Sequence, residues 1–121
     1  MNLDVTIRFE DMAPSEALAN DIRRHADKLL QFAPRLQSCD LAVRHDAHRH
    51  THGNRYVVRI HAVMPGGTFE AGRPSLDRSH EDAYIAVRDA FDALRRQLED
   101  HMRIRRGEVK RHSADETLAS G

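Results

Sequence analysis

Apolar residues in this chain repeat at two spacings, and the order of those spacings limits what it can fold into. Leu3, Val5, Ile7 and Phe9 alternate with Asn2, Asp4, Thr6 and Arg8, the period of two of a half-buried strand. The turn "EDMAPS" places Ser15 as an N-cap, and Leu18, Ile22, Ala26, Leu29 and Leu30 then keep a helical period until Pro34. Cys39, Leu41 and Val43 return to a period of two over about residues 38–45. Beyond the polar hairpin loop "DAHRHTHGN", the segment "RYVVRIHAVM" sets Tyr56, Val58, Ile60, Ala62 and Met64 on one face of a third strand. "PGG" is a tight turn, and "TFEAGR" reads as a short fourth strand. Ser79 and Asp82 have the spacing of a capping box. The helix it opens has a seam of Tyr84, Val87, Phe91, Leu94, Leu98 and Met102, and is expected to run to about Arg106, with Gly107 as its stop.

The helix between the first two strands requires them to be parallel, joined by a right-handed crossover. Short turns make the later pairs antiparallel. The expected fold is therefore an α+β two-layer sandwich of order β-α-β-β-β-α, a four-stranded sheet with two helices on one face. A chain of 121 residues holds one such core. The domain is expected over residues 1–108, with 109–121 as a flexible C-terminal tail that includes "SADETLASG".

A single cysteine, Cys39, excludes an internal disulfide and a Cys-rich zinc site and fits a reducing compartment. Its place on the apolar phase of its strand makes it a core residue rather than a nucleophile. The opening "MNLDVTIRF" lacks the charged and apolar blocks of a secretory signal, and no stretch is long and apolar enough to span a membrane. The expectation is a soluble cytoplasmic protein.

Lys plus Arg equal Asp plus Glu at 19 each, yet residues 101–112 carry five Lys or Arg against one Glu. Those five, Arg103, Arg105, Arg106, Lys110 and Arg111, lie near a helix C-terminus, where the helix dipole favours cations. The dipole accounts for one or two of them, since its effect fades within the last turn. Arg95 and Arg96 extend the positive strip backwards, interrupted by Glu99 and Asp100. On the first helix Arg24, Lys28 and Gln31 share a face at i, i+4 and i+7, with Arg35 beyond them. Either strip alone reads equally as a solvated helix face. Two parallel helices on one side of a sheet would bring both strips to one surface, where a groove fits a phosphate backbone. The open sheet face carries Arg8, Arg44, Arg59 and His61, but Asp4, Asp40 and Glu70 as well.

His45, His48, His50 and His52 fall within eight residues, with His61 on the next strand. An extended loop would point His48, His50 and His52 the same way, which leaves a metal site geometrically open. A hairpin tip without Cys or supporting partners holds such ligands badly, so the expectation is a solvated loop and no metal. No Gly-rich phosphate loop, nucleophile elbow, His-Glu metal motif or paired carboxylates stand out. Neither an enzyme, a cofactor nor a small-molecule substrate is indicated. From the residues alone, the chain is a small α+β domain with a basic helical surface, open to RNA binding, to a protein-interaction role or to metal binding through the His loop.

The segment "HEDAYIAVRDAFDALRRQL" resembles the ribosome hibernation-promoting factor family, which includes the ribosome-associated inhibitor and carries the older label sigma-54 modulation protein. The shared features are Asp82–Ala83–Tyr84, Ala86–Val87 and Ala93–Leu94–Arg95–Arg96–Gln97–Leu98, and "PSEALANDIRRHADKLLQF" is similar to the family's first helix. The resemblance covers about residues 2–106. It implies a fold like a double-stranded-RNA-binding domain and, as partner, the small ribosomal subunit and its rRNA. There such proteins sit between head and body, in the places of messenger and transfer RNA, and block translation sterically in stationary phase or stress. It places Lys28, Arg96 and Arg24 on basic family positions and matches Arg103–Arg111 only loosely. Asp100 stands where relatives commonly have Lys, which weakens the central strip and shifts contact towards Arg103–Arg106. The loop "GRPSLDRSHED" is longer than in compact relatives. The short tail implies a short form without the family's second domain, monomeric in solution.

Overall fold

The computed structural model describes residues 3–46, 55–72 and 82–115. The chain order is β1 (Asp4–Glu10), α1 (Glu16–Phe32), β2 (Ser38–Asp46), β3 (Arg55–Met64), β4 (Gly67–Ala71) and α2 (Ala83–Asp115). The four strands lie in the sheet in sequence order. β1 and β2 are parallel, as the intervening helix requires; β2–β3 and β3–β4 are antiparallel. Pro65 and Gly66 make the last hairpin, with Gly66 at a φ of 97°, a backbone region that glycine enters without steric cost.

Both helices cover one sheet face. Cys39, Leu41 and Val43 of β2 and Val58, Ile60, Ala62 and Met64 of β3 are buried against Leu18, Ile22, Ala26 and Leu29 of α1 and Ala86, Val87, Ala90, Phe91, Leu94 and Leu98 of α2. The alternating phases of the sequence set these residues inward together, and Cys39 lies in the core as its phase requires. Gln97 ties α2 to the sheet edge, its Nε2 donating to the Glu70 carbonyl at 2.7 Å. No helix among the described residues is long and apolar enough to cross a membrane.

Helix ends follow local chemistry. The Ser15 hydroxyl accepts from the Leu18 N–H at 3.2 Å and caps α1. α2 begins differently from the expected capping box. Asp82 is itself the cap, with its Oδ1 accepting from the Tyr84 N–H at 2.9 Å and its carbonyl accepting from the Ala86 N–H at 3.0 Å. Ser79 lies outside the described residues.

α2 also ends later than expected. It continues through Gly107, crosses the expected boundary at residue 108 and reaches Asp115, so Gly107 is not its stop. One helical glycine costs only about 1 kcal/mol relative to alanine. Its neighbours Arg105, Arg106, Glu108, Lys110 and Arg111 are strong helix formers, and no proline follows. A third correction concerns Tyr84, expected on the buried seam but 47 % exposed. Ala86 and Ala90 are buried beside Val87 and Phe91, which shifts the centre of the stripe and leaves Tyr84 at its margin.

Candidate nucleic-acid interface

The two helices run side by side in the same direction. The His25 ring of α1 stacks on Phe91 of α2, with centroids 5.1 Å apart and planes 15° from parallel. Further along both helices the Arg95 guanidinium lies over the Phe32 ring, 4.9 Å from its centroid. Advancing from residue 25 to 32 on one helix matches an advance from 91 to 95 on the other, which fixes the parallel sense. The seam between them opens into a groove of about 500 Å³ whose walls include Lys28, Gln31, Asp92 and Arg95. Two strips distant in sequence thus border one surface.

The expected cations meet different environments there. Lys28 and Arg96 are exposed, with no ion-pair or hydrogen-bond partner among the described residues. The Arg95 guanidinium makes a cation–π contact with the Phe32 ring. Arg24 is paired within its own helix, its Nη2 2.6 Å from the Asp21 Oδ1, and His25 Nε2 lies 3.6 Å from the other Asp21 oxygen. Arg103 is likewise held by Asp100 at 2.6 Å. Asp100 therefore does more than interrupt the strip: it engages the first arginine onto which contact was expected to shift. An exposed pair of this kind contributes at most about 1 kcal/mol.

Beyond this point the backbone of α2 carries the basic cluster as helix. Among the described side chains, Met102 is the last of α2 packed against the core, and Ile104 is 55 % exposed. The remaining helix adds roughly 20 Å at 1.5 Å per residue. By the 3.6-residue period, positions 103, 106 and 110 share one face. The side chains of Arg105, Arg106, Lys110 and Arg111 lie outside the described residues.

The opposite sheet face is a shallow hollow of about 410 Å³, bordered by Arg8, Arg44 and Arg59 and by Glu10, Asp40 and Glu70. His61 Nδ1 sits 3.3 Å from Glu70 Oε2 across the strands. Cations and carboxylates are therefore mixed across this face. Of the histidine loop, His48, His50 and His52 lie outside the described residues. His45 belongs to β2 and stacks on Tyr56 at 4.7 Å. No group of three or more potential metal ligands gathers among the described residues.

Sequence reasoning missed the aromatic part of the interface. His25 and Phe32 had no assigned role, yet both line the seam. The available signal was their position: at 100° per residue they lie beside Lys28, on the flank of α1 between its core stripe and its exposed strip.

Residues 5–106 match the family described as Sigma 54 modulation protein / S30EA ribosomal protein. A ribosomal subunit interface protein from Coxiella burnetii has a similar structure at a TM-score of 0.67 and 15 % identity, covering 82 % of this chain and 97 % of that one. The N-terminal domain of Thermus thermophilus Protein Y is similar at 0.57 and 17 % identity, covering 84 % and 99 %. At these identities the two structures establish a shared fold. No curated protein sequence matches significantly. Since the family match takes in the four strands, α1 and most of α2, the chain belongs to the Sigma 54 modulation protein / S30EA ribosomal protein family.

Proposed function

We infer that this domain is a ribosome-associated translation inhibitor of the hibernation type. In this reading it binds rRNA of the small ribosomal subunit through its helical side, occupies the channel used by messenger and transfer RNA, and blocks translation by exclusion. It acts without chemistry, as a cytoplasmic monomer, under stress or in stationary phase. The carrying observation is the parallel pairing of α1 and α2, which brings Lys28 together with Arg95 and places Arg96 on the adjoining helix face. Membership of a family whose description includes a ribosomal protein supports the choice of partner. The net charge of zero is compatible with it, because binding follows the local field and a ribosome also offers protein surface.

The test is co-sedimentation of the purified protein with bacterial ribosomes over a series of salt concentrations. The expected outcome is association with the small subunit that weakens steadily with salt and is displaced by messenger plus transfer RNA. Absence of association at every salt concentration overturns the reading. Replacing Arg103, Arg105 and Arg106 together with Glu should abolish co-sedimentation while leaving the melting temperature nearly unchanged. Normal binding by that variant excludes the helix end as a contact and directs attention to Arg8, Arg44 and Arg59 on the sheet face.

A further inference from the structure

We propose that the groove between α1 and α2 takes a single unpaired nucleotide of an RNA strand, so that the helical side reads one extruded base as well as phosphate. The proposal rests on the RNA-binding reading above and deepens it. Neighbouring packed helices lie roughly 8–10 Å apart, so a double helix is too wide to enter the seam between them and can only lie across its rim. A groove of about 500 Å³ is instead of the size that accepts one small planar ligand.

Its walls supply the three things a nucleotide needs. Stacking comes first: the Arg95 guanidinium lies over the Phe32 ring, 4.9 Å from its centroid, and its planar group is one on which a base can stack. A second planar group, His25, is backed by Phe91. Edge recognition comes from Gln31, whose amide both donates and accepts, and from Asp92, whose carboxylate only accepts. Asp92 therefore favours a base with an exocyclic amino group. Charge neutralisation comes from Lys28 and Arg95. Lys28, Gln31 and Asp92 have no hydrogen-bond or ion-pair partner among the described residues, so their polar atoms are available to a ligand. A surface selected only for phosphate gains nothing from a carboxylate here; a base-reading groove uses it.

The full chain is titrated at low salt with a uridine heptamer RNA carrying a central 2-aminopurine, and with the same strand in a duplex. 2-Aminopurine bears an exocyclic amino group, and its fluorescence falls on stacking. The expected result is quenching and at least tenfold tighter binding of the single strand. Phe32→Leu should weaken it about tenfold by removing the ring over which Arg95 lies. Asp92→Ala should also weaken it, by several-fold, although it removes a negative charge. Melting curves verify that both variants fold, and ribosome co-sedimentation is run in parallel. Equal or tighter duplex binding, no binding of either RNA, or tighter single-strand binding by Asp92→Ala, as charge alone requires, overturns the groove. Ribosome association alongside any of those outcomes leaves the hibernation reading standing. Loss of ribosome association with single-strand preference intact does the reverse.

Discussion

Cys39 shows how much one position inherits from the alternation around it. Its phase on β2 puts the thiol in the core at 0 % exposure, where burial, aided by the neighbouring Asp40 carboxylate, pushes its pKa from 9.0 to about 11. The folded chain thus keeps a proton that the unfolded chain releases near pH 9. By linkage, the associated stability is fully present below pH 9 and is lost as pH rises towards 11. At 1.36 kcal/mol for each pH unit the loss approaches roughly 2–3 kcal/mol. Denaturant melts from pH 8 to 11 should show a decline that is shallower in Cys39→Ala by about this amount. An equal decline in both proteins would show that the thiol stays protonated in neither state or both. Phe91 makes the complementary point about packing. It is buried and also backs the His25 ring, so Phe91→Ala should cost about 3–5 kcal/mol in a thermal or denaturant melt.

At the scale of elements, periodicity made the six segments legible, because burial on one face enforces a spacing of two or 3.6 over many residues. The ends were less legible, because a single hydrogen bond or an alternative cap decides them. Asp82 was visible as half of a capping box but not as the cap itself, since spacing alone does not say which of two acceptors meets the free N–H groups. Asp82→Ala should therefore cost about 1 kcal/mol, read as a lower melting midpoint with the slope of the transition unchanged. Gly107 was misread for a related reason: glycine ends a helix when the chain must turn, and here strong helix formers follow it. The strips on α1 and α2 were readable as amphipathic faces. Their meeting was not, because His25–Phe91 and Phe32–Arg95 are contacts between helices whose relative sense depends on the whole sheet order.

At the scale of the whole molecule, a chain with no net charge separates its charges in space, and the separation is incomplete in an informative way. The sheet face mixes both signs across a shallow hollow. On the helical side cations and carboxylates are interspersed as well, and two of its arginines are held by carboxylates three residues earlier, Arg24 by Asp21 and Arg103 by Asp100. Such pairs weaken the field that reaches an approaching RNA; both members of the Arg103–Asp100 pair are exposed, whereas the Asp21 side chain is largely covered. Asp100 is the better place to test this, since its pair joins the central strip to the basic end of α2. Asp100→Lys both adds a cation and releases Arg103, so it acts as about two additional phosphate contacts. Its plot of log affinity against log salt for ribosome co-sedimentation should steepen by nearly 2, with tighter binding at low salt and an unchanged melting temperature. Asp100→Asn only releases Arg103, and its slope should steepen by about half as much. If neither variant differs from the parent, Arg103 does not meet phosphate, and the interface ends within the groove formed by Lys28, Phe32 and Arg95.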